Sequence, residues 1–186
     1  MENLKNYIRR YCQITDDDLT KVINQFHPRQ IPKNRMLLQP GQICNEFVFV
    51  ETGAFRMYKL VDNKETTAWV FFEGTAFCEL ISFLRQIPTS YAIQALENSR
   101  IWTITHSNME MLYRTVPSWQ EFGRRHWEEA LLKFTDVAQS FQSDPAETRY
   151  NRFTSDRRML QRLSLRQLAS LLGVTPYTLS RLRRKR

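Results

Sequence analysis

The side chains able to do covalent or metal chemistry are few and scattered. Cys12, Cys44 and Cys78 share no ligand spacing with one another or with His27, His106 and His126. Neither a tetrahedral metal site nor a disulfide framework is expected from them. The five glycines build no phosphate-cradling loop, and no Gly-x-Ser-x-Gly nucleophile turn occurs. The expectation is a protein without enzymatic activity and without a cofactor. The residues that do form a chemical pattern are basic. Of 27 Lys and Arg and 19 Asp and Glu, 11 and 2 lie from Pro145 onward, leaving 16 and 17 before it. A body near −1 therefore carries a segment at +9, as a polyanion-binding appendage would. A solvated basic tail would show the same charge, so the spacing behind the arginines has to decide.

That spacing is helix-turn-helix-like from Leu165 to Leu182. Ser164, with Gln167 three residues on, makes a capping box for a first helix. Leu165, Leu168 and Leu172 give it one apolar face, and Ala169 is small where a second helix must cross. Gly173 falls where the chain turns through left-handed backbone, and Val174 closes the core behind it. Thr175 caps the second helix, Pro176 takes its first position where a missing N–H costs nothing, and Leu179 and Leu182 bury it. A generic αα-hairpin seldom meets all these conditions.

With the second helix in a DNA major groove, the expected contacts are Thr175, Pro176, Tyr177, Thr178, Ser180, Arg181 and Arg184. Arg181, one turn past Tyr177, is the expected base reader, since a guanidinium pairs bidentately with guanine. Tyr177 suits a thymine methyl or a phosphate. Thr175, Thr178, Ser180 and Arg184 suit phosphates, which set register rather than sequence. The run Arg183 to Arg186 adds salt-sensitive attraction.

The elements that must position this segment follow from the rest of the chain. Met1 to about Phe26 reads as helical, with Thr15 capping the acidic run Asp16-Asp17-Asp18. From Ile31 to Thr105, short β-rich runs recur between turn markers: Phe47–Val50, Ala54–Leu60, Thr66–Phe72, Tyr91–Leu96 and Arg100–Thr105. Such spacing predicts a β-sandwich or barrel, interrupted by a short helix over Ser82–Gln86. Ser107 is the expected cap of a helix ending before Pro117, and a long helix follows from Ser118. Its stripe includes Trp127, Leu131, Phe134, Val137, Ala138 and Phe141. The stripe suits either packing on the chain's own barrel or a seam with a second copy. Ser143-Asp144-Pro145 reads as a hinge. No apolar run reaches the roughly 18 residues of a membrane span, and no signal segment opens the chain, so a soluble cytoplasmic protein is expected.

This order of elements resembles the Crp/Fnr family of bacterial transcription regulators. The resemblance is carried by Pro40-Gly41, Phe49-Val-Glu-Thr-Gly53 and Phe72-Glu-Gly74 in the barrel and by Gly173-Val-Thr-Pro-Tyr-Thr-Leu-Ser-Arg-Leu-Arg-Arg184 at the recognition helix. The Thr-Pro start and Arg-Arg-Lys end look like the version common in Bacteroidetes. Phe77-Cys-Glu-Leu80 resembles the phosphate-binding cassette, normally Phe-Gly-Glu-Leu. The resemblance implies an α+β fold: a cyclic-nucleotide-binding-like β-barrel (jelly roll) over 1–117, a dimerisation helix over 118–143 and a helix-turn-helix domain over 144–186. It implies a homodimer joined through Trp127, Leu131, Phe134 and Phe141 that binds a palindromic operator. The expected partners are double-stranded DNA, a second copy, RNA polymerase and a small-molecule effector, with no membrane. Glu79, Leu80, Thr89 and Ser90 are the expected effector contacts. Thr89-Ser90 stands where cyclic-nucleotide-binding members carry Arg before Ser or Thr, and Cys78 replaces the cassette glycine. A sensor that does not take cAMP is therefore expected. The competing expectation is a small-molecule sensor or protein-interaction module whose basic hairpin does not read DNA.

Overall fold

A computed structural model describes residues 1–184 of the chain; Lys185 and Arg186, the end of the basic run, lie outside the described residues. Two short helices open it, α1 (Glu2–Tyr11) and α2 (Asp16–Ile23). The single helical stretch expected there divides because Cys12 adopts extended backbone. Thr15 then restarts the helix, its hydroxyl accepting from the Asp18 N–H at 3.2 Å. The three aspartates thus occupy the first turn, where the helix dipole favours negative charge.

Eight strands follow: β1 (His27–Ile31), β2 (Met36–Leu38), β3 (Glu46–Thr52), β4 (Ala54–Val61), β5 (Lys64–Phe72), β6 (Ala76–Phe77), β7 (Ala92–Ala95) and β8 (Ser99–Thr105). The helix α3 (Leu80–Arg85) separates β6 from β7. The strands pair antiparallel in two four-stranded sheets, ordered β1-β8-β3-β6 and β2-β7-β4-β5. The architecture is an α+β fold built on this sandwich; among the described residues no pairing joins the sheets into a closed barrel. β1 escaped the sequence reading because it carries Pro28 and exposes four of its five residues, as an edge strand can. β4 and β5 form a hairpin through Asp62-Asn63, both at positive φ (49° and 58°), the backbone a two-residue hairpin turn needs.

Strand alternation sorts the core. Phe47 and Phe49 of β3 face helices, and Val48 faces the space between the sheets. The helical side is built by α1, α4 (His106–Thr115) and α5 (Pro117–Ser143). Thr105, rather than Ser107, caps α4, accepting from the Asn108 N–H at 3.2 Å. Pro117 takes the first position of α5. Trp119, Phe122 and His126 stack along α5 with centroids 4.1 and 5.7 Å apart and meet Tyr7, Tyr11 and Phe47. His126 bonds the Tyr7 hydroxyl at 3.1 Å. Burial pushes its imidazole down to about 4, so it packs as a neutral aromatic ring. At 27 residues α5 is about 40 Å long, more than one sandwich can cover.

Four further helices complete the described residues: α6 (Ala146–Phe153), α7 (Arg157–Arg162), α8 (Leu165–Leu171) and α9 (Pro176–Arg184). Their leucines form a second core that also takes in Ala54, Val70 and Phe72 from the outer face of β4 and β5. The C-terminal head therefore sits on the sheet that contains β4 and β5.

Candidate nucleic-acid interface and effector cleft

The head is assembled by local chemistry. Ser164 and Gln167 form a reciprocal capping box: the Ser164 hydroxyl accepts from the Gln167 N–H at 3.3 Å, and the Ser164 N–H donates to Gln167 Oε1 at 2.9 Å. Gly173 turns the chain at φ 66°, and a Cβ there would press on the Phe141 ring at 3.2 Å. The Val174 N–H returns to the Ala169 carbonyl at 3.0 Å. Thr175 Oγ1 accepts from the Thr178 N–H at 3.1 Å and starts α9. Leu168, Ala169, Leu172 and Leu179 are buried between α8 and α9; a buried leucine contributes about 2 kcal/mol.

This packing fixes which side of α9 meets solvent. Tyr177 is 74% exposed, and Thr175, Pro176, Arg181, Arg183 and Arg184 are exposed with it. Thr178 and Ser180 are half-buried at the flank, and the Thr175 and Thr178 hydroxyls bond each other at 3.0 Å. The seven residues expected to touch DNA thus share one helix and its cap, with the arginines foremost.

Four other arginines of the segment, Arg149, Arg152, Arg158 and Arg162, are engaged within the chain. Arg149 donates to the Asp144 carbonyl at 2.7 Å and lies over the Phe141 ring, and Arg152 pairs with Asp136. Arg158 meets Asp156 at 2.7 Å and Glu73 at 3.5 Å. Arg162 meets Glu73 at 2.5 Å and Glu97 at 3.2 Å. The Arg158 and Arg162 guanidiniums both lie over the Phe72 ring, at 4.7 and 5.6 Å. Burial raises the Glu73 carboxyl, but hydrogen bonding and charge from Arg162 and Arg158 outweigh it and hold the carboxyl below its usual range. Ser170 of α8 completes the seam, accepting from the Thr67 N–H at 2.8 Å and donating to the Glu65 carbonyl at 3.2 Å, along edge strand β5. Sequence reading missed this seam, because no local pattern announces that Glu73 and Arg162 will meet.

The four expected effector residues divide. Glu79 and Thr89 are buried, whereas Leu80 and Ser90 are exposed. Glu79 caps α3, accepting from the Ser82 N–H at 3.0 Å, and the Thr89 hydroxyl accepts from the Tyr91 N–H at 2.9 Å. A cavity of about 340 Å³ opens between the sheets beside Cys78, and none of the four lines it.

The α5 stripe divides as well. Trp127 is half-buried, 4.7 Å from the His126 ring and 6.0 Å from Phe47. Phe141 leans on the head, 6.3 Å from Phe153. Leu131 and Phe134 between them are 64% and 62% exposed. Leu132, which the stripe omitted, is 70% exposed beside them. Among the described residues no cluster of His, Cys, Asp and Glu could hold a metal ion, and no helix is long and apolar enough to cross a membrane.

Fold and site together describe a β-sandwich carrying a C-terminal head of short helices, with α8 and α9 joined by a turn at Gly173. Residues 28–116 match the family model of the cyclic nucleotide-binding domain. No curated protein matches the sequence. Among solved structures, the chain is similar to a CooA mutant from Carboxydothermus hydrogenoformans (TM-score 0.69, 21% identity, 89% of this chain and 78% of that one). It is also similar to CLP, a c-di-GMP-responsive global regulator from Xanthomonas campestris (0.69, 17%, 92% and 91%). A protein from Eubacterium rectale assigned to the Crp/Fnr family of transcriptional regulators gives 0.71 at 14% identity, over 92% and 83%. At these identities the likeness is one of fold.

Proposed function

We propose that the chain is a Crp/Fnr-type transcription regulator, related to the Bacteroidetes version, that reads a palindromic operator in the cytoplasm as a homodimer. Residues 1–117 act as sensor, 118–143 as dimerisation helix and 144–186 as DNA-binding domain. The observation that carries the reading is the solvent face of α9. Tyr177, Arg181 and Arg184 stand on it beyond a turn built on Gly173, with Leu179 buried behind them, and the paired arginines lie elsewhere. Arg181 reads a base, and Thr175, Pro176, Tyr177, Thr178, Ser180 and Arg184 hold the flanking backbone and groove wall. The regulators among the structural neighbours support the same role.

Dimerisation is supported by Leu131, Leu132 and Phe134, an exposed apolar stretch in the middle of α5. Trp127 and Phe141 flank it. The sensor does not take cAMP: Thr89 stands where the phosphate-neutralising arginine would be needed, and its hydroxyl is already engaged. RNA polymerase is the downstream partner, and an effector other than cAMP sets the state.

Footprinting on the DNA upstream of its own gene tests the reading. A symmetric protected site with two half-sites, lost in Arg181→Ala, is the expected result. Equal binding to all sequences, unchanged in that variant, overturns it and favours a sensor whose hairpin serves a protein partner.

A further inference from the structure

The surface between the head and the sandwich combines an apolar hold with a charge that favours water. Ala54, Val70 and Phe72 pack into the leucine core of the head. Arg56 shares their face of the sheet. Phe55 beside it points inward to the Phe77 ring at 5.7 Å, and Val70 stands opposite Arg56 in register. For an arginine on the outer face of a sheet, Arg56 is unusually dry, at 3% exposure. The head and the Tyr58 ring, 4.0 Å from the guanidinium, keep it from water.

Its partners do not meet its needs. A guanidinium donates from every nitrogen. One amino group reaches Glu65 at 2.6 Å, but the Glu65 side chain is 51% exposed, so solvent screens its charge. Arg56 Nε has no hydrogen-bond partner among the described residues, and neither has the hydroxyl of the buried Thr67. Thr67 is also where α8 touches β5. Its N–H donates to Ser170 Oγ at 2.8 Å, and the Ser170 hydroxyl donates to the Glu65 carbonyl. Burying a charge with incomplete partners costs more than its pairing returns, and an apolar residue in its place is often neutral or better. Docking of the head therefore runs against Arg56. Lifting the head returns the guanidinium and the Thr67 hydroxyl to water. It also parts Arg158 and Arg162 from Glu73 and Glu97, which makes their charge available to a polyanion.

We infer that Arg56 is a release element: it keeps the docking of the head on β4 and β5 weak enough to reverse, and DNA is bound with the head lifted. The inference rests on reading the head as the DNA-binding domain and adds how its availability is set. The docked head is the resting state. DNA draws the chain out of it, because the lifted head carries more unpaired positive charge.

The test is amide hydrogen exchange of the full chain, alone and with the operator fragment found by footprinting. The Thr67 N–H is the reporter, since its acceptor lies on the head. Its exchange should be about tenfold faster in the DNA complex. Arg56→Met removes the charge and keeps an apolar stem. It should slow Thr67 exchange without DNA and weaken operator binding about threefold, as the lifted fraction shrinks. Ser170→Ala loosens docking from the head side with Arg56 intact. It should speed cleavage at the 143–145 hinge without weakening operator binding. Equal protection of Thr67 with and without DNA overturns the inference. So does an Arg56→Met chain that folds but is cleaved faster at the hinge, since Arg56 would then be an anchor. If Arg56→Met does not fold, Thr67 exchange in the wild type and the Ser170→Ala chain decide. A wild type that protects no operator overturns the regulator reading instead, and Thr67 exchange in Arg56→Met without DNA still tests the release element.

Discussion

Arg158 and Arg162 on α7 face Glu73 and the Phe72 ring at the end of β5, whereas Arg181, Arg183 and Arg184 on α9 stand in solvent. The two groups lie within the same +9 segment. They differ in what folding placed opposite them. The α7 pair has a carboxylate and an aromatic face within reach, so its charge is consumed in holding the head against β4 and β5. The α9 arginines have a leucine core behind them and water in front, so their charge remains available to a polyanion. Net charge of a segment therefore overstates its pull on DNA, because part of it is already neutralised inside the chain.

The comparison can be broken at its common support. Leu179→Ala removes the side chain on which α9 rests and should destabilise the head by about 2–5 kcal/mol. In thermal denaturation the melting point should fall, and DNA affinity should fall with it. Retained affinity would show that α9 is not held by this core.

Arg181→Ala should separate the groups. A lost bidentate base contact costs about 1–3 kcal/mol, on the operator only, with the melting temperature unchanged. Arg162→Ala should do the opposite, lowering stability and leaving the ratio of specific to non-specific binding intact. Mobility shifts on operator and scrambled DNA, paired with melting curves, read both.

Glu73→Gln should loosen the head by about 1 kcal/mol, since the ion pair is partly exposed. Limited proteolysis at the 143–145 hinge is the readout. Acid should mimic this change. The Glu73 carboxyl titrates lower in the folded chain than unfolded, so its contribution is present at neutral pH and lost as pH falls through that depressed folded value. Wild type should become more cleavable below about pH 4 by a step that Glu73→Gln lacks. An identical acid response in both would exclude this carboxylate.

The smallest effect concerns salt. Arg184→Ala should reduce the slope of log affinity against log salt by about 1, without changing sequence preference. A change in preference would move Arg184 from phosphate contact to base reading.

Much of the head was legible because its signals are local. Ser164 with Gln167, Gly173, and Thr175 with Pro176 each act within one turn of helix, and the structure realises each cap and the turn. The longer strands were legible from alternation and turn residues. β1, β2 and β6 were not, because they are short or edge-like and owe their pairing to β8, β7 and β3. Thr105 displaced Ser107 as the cap of α4 because the helix begins at His106, directly after β8, so the last strand residue is also the cap.

By itself, the sequence determined that a near-neutral β-rich body would be followed by a basic segment of short capped helices turning at Gly173, since periodicity, capping and composition act over a few residues. Only the tertiary structure decided which arginines are free, that Glu79 and Thr89 turn inward while Leu80 and Ser90 turn out, and that Cys44 and Cys78 line one cavity. Those outcomes join residues tens of positions apart. They follow from how two sheets and a docked head share space, which no local spacing encodes.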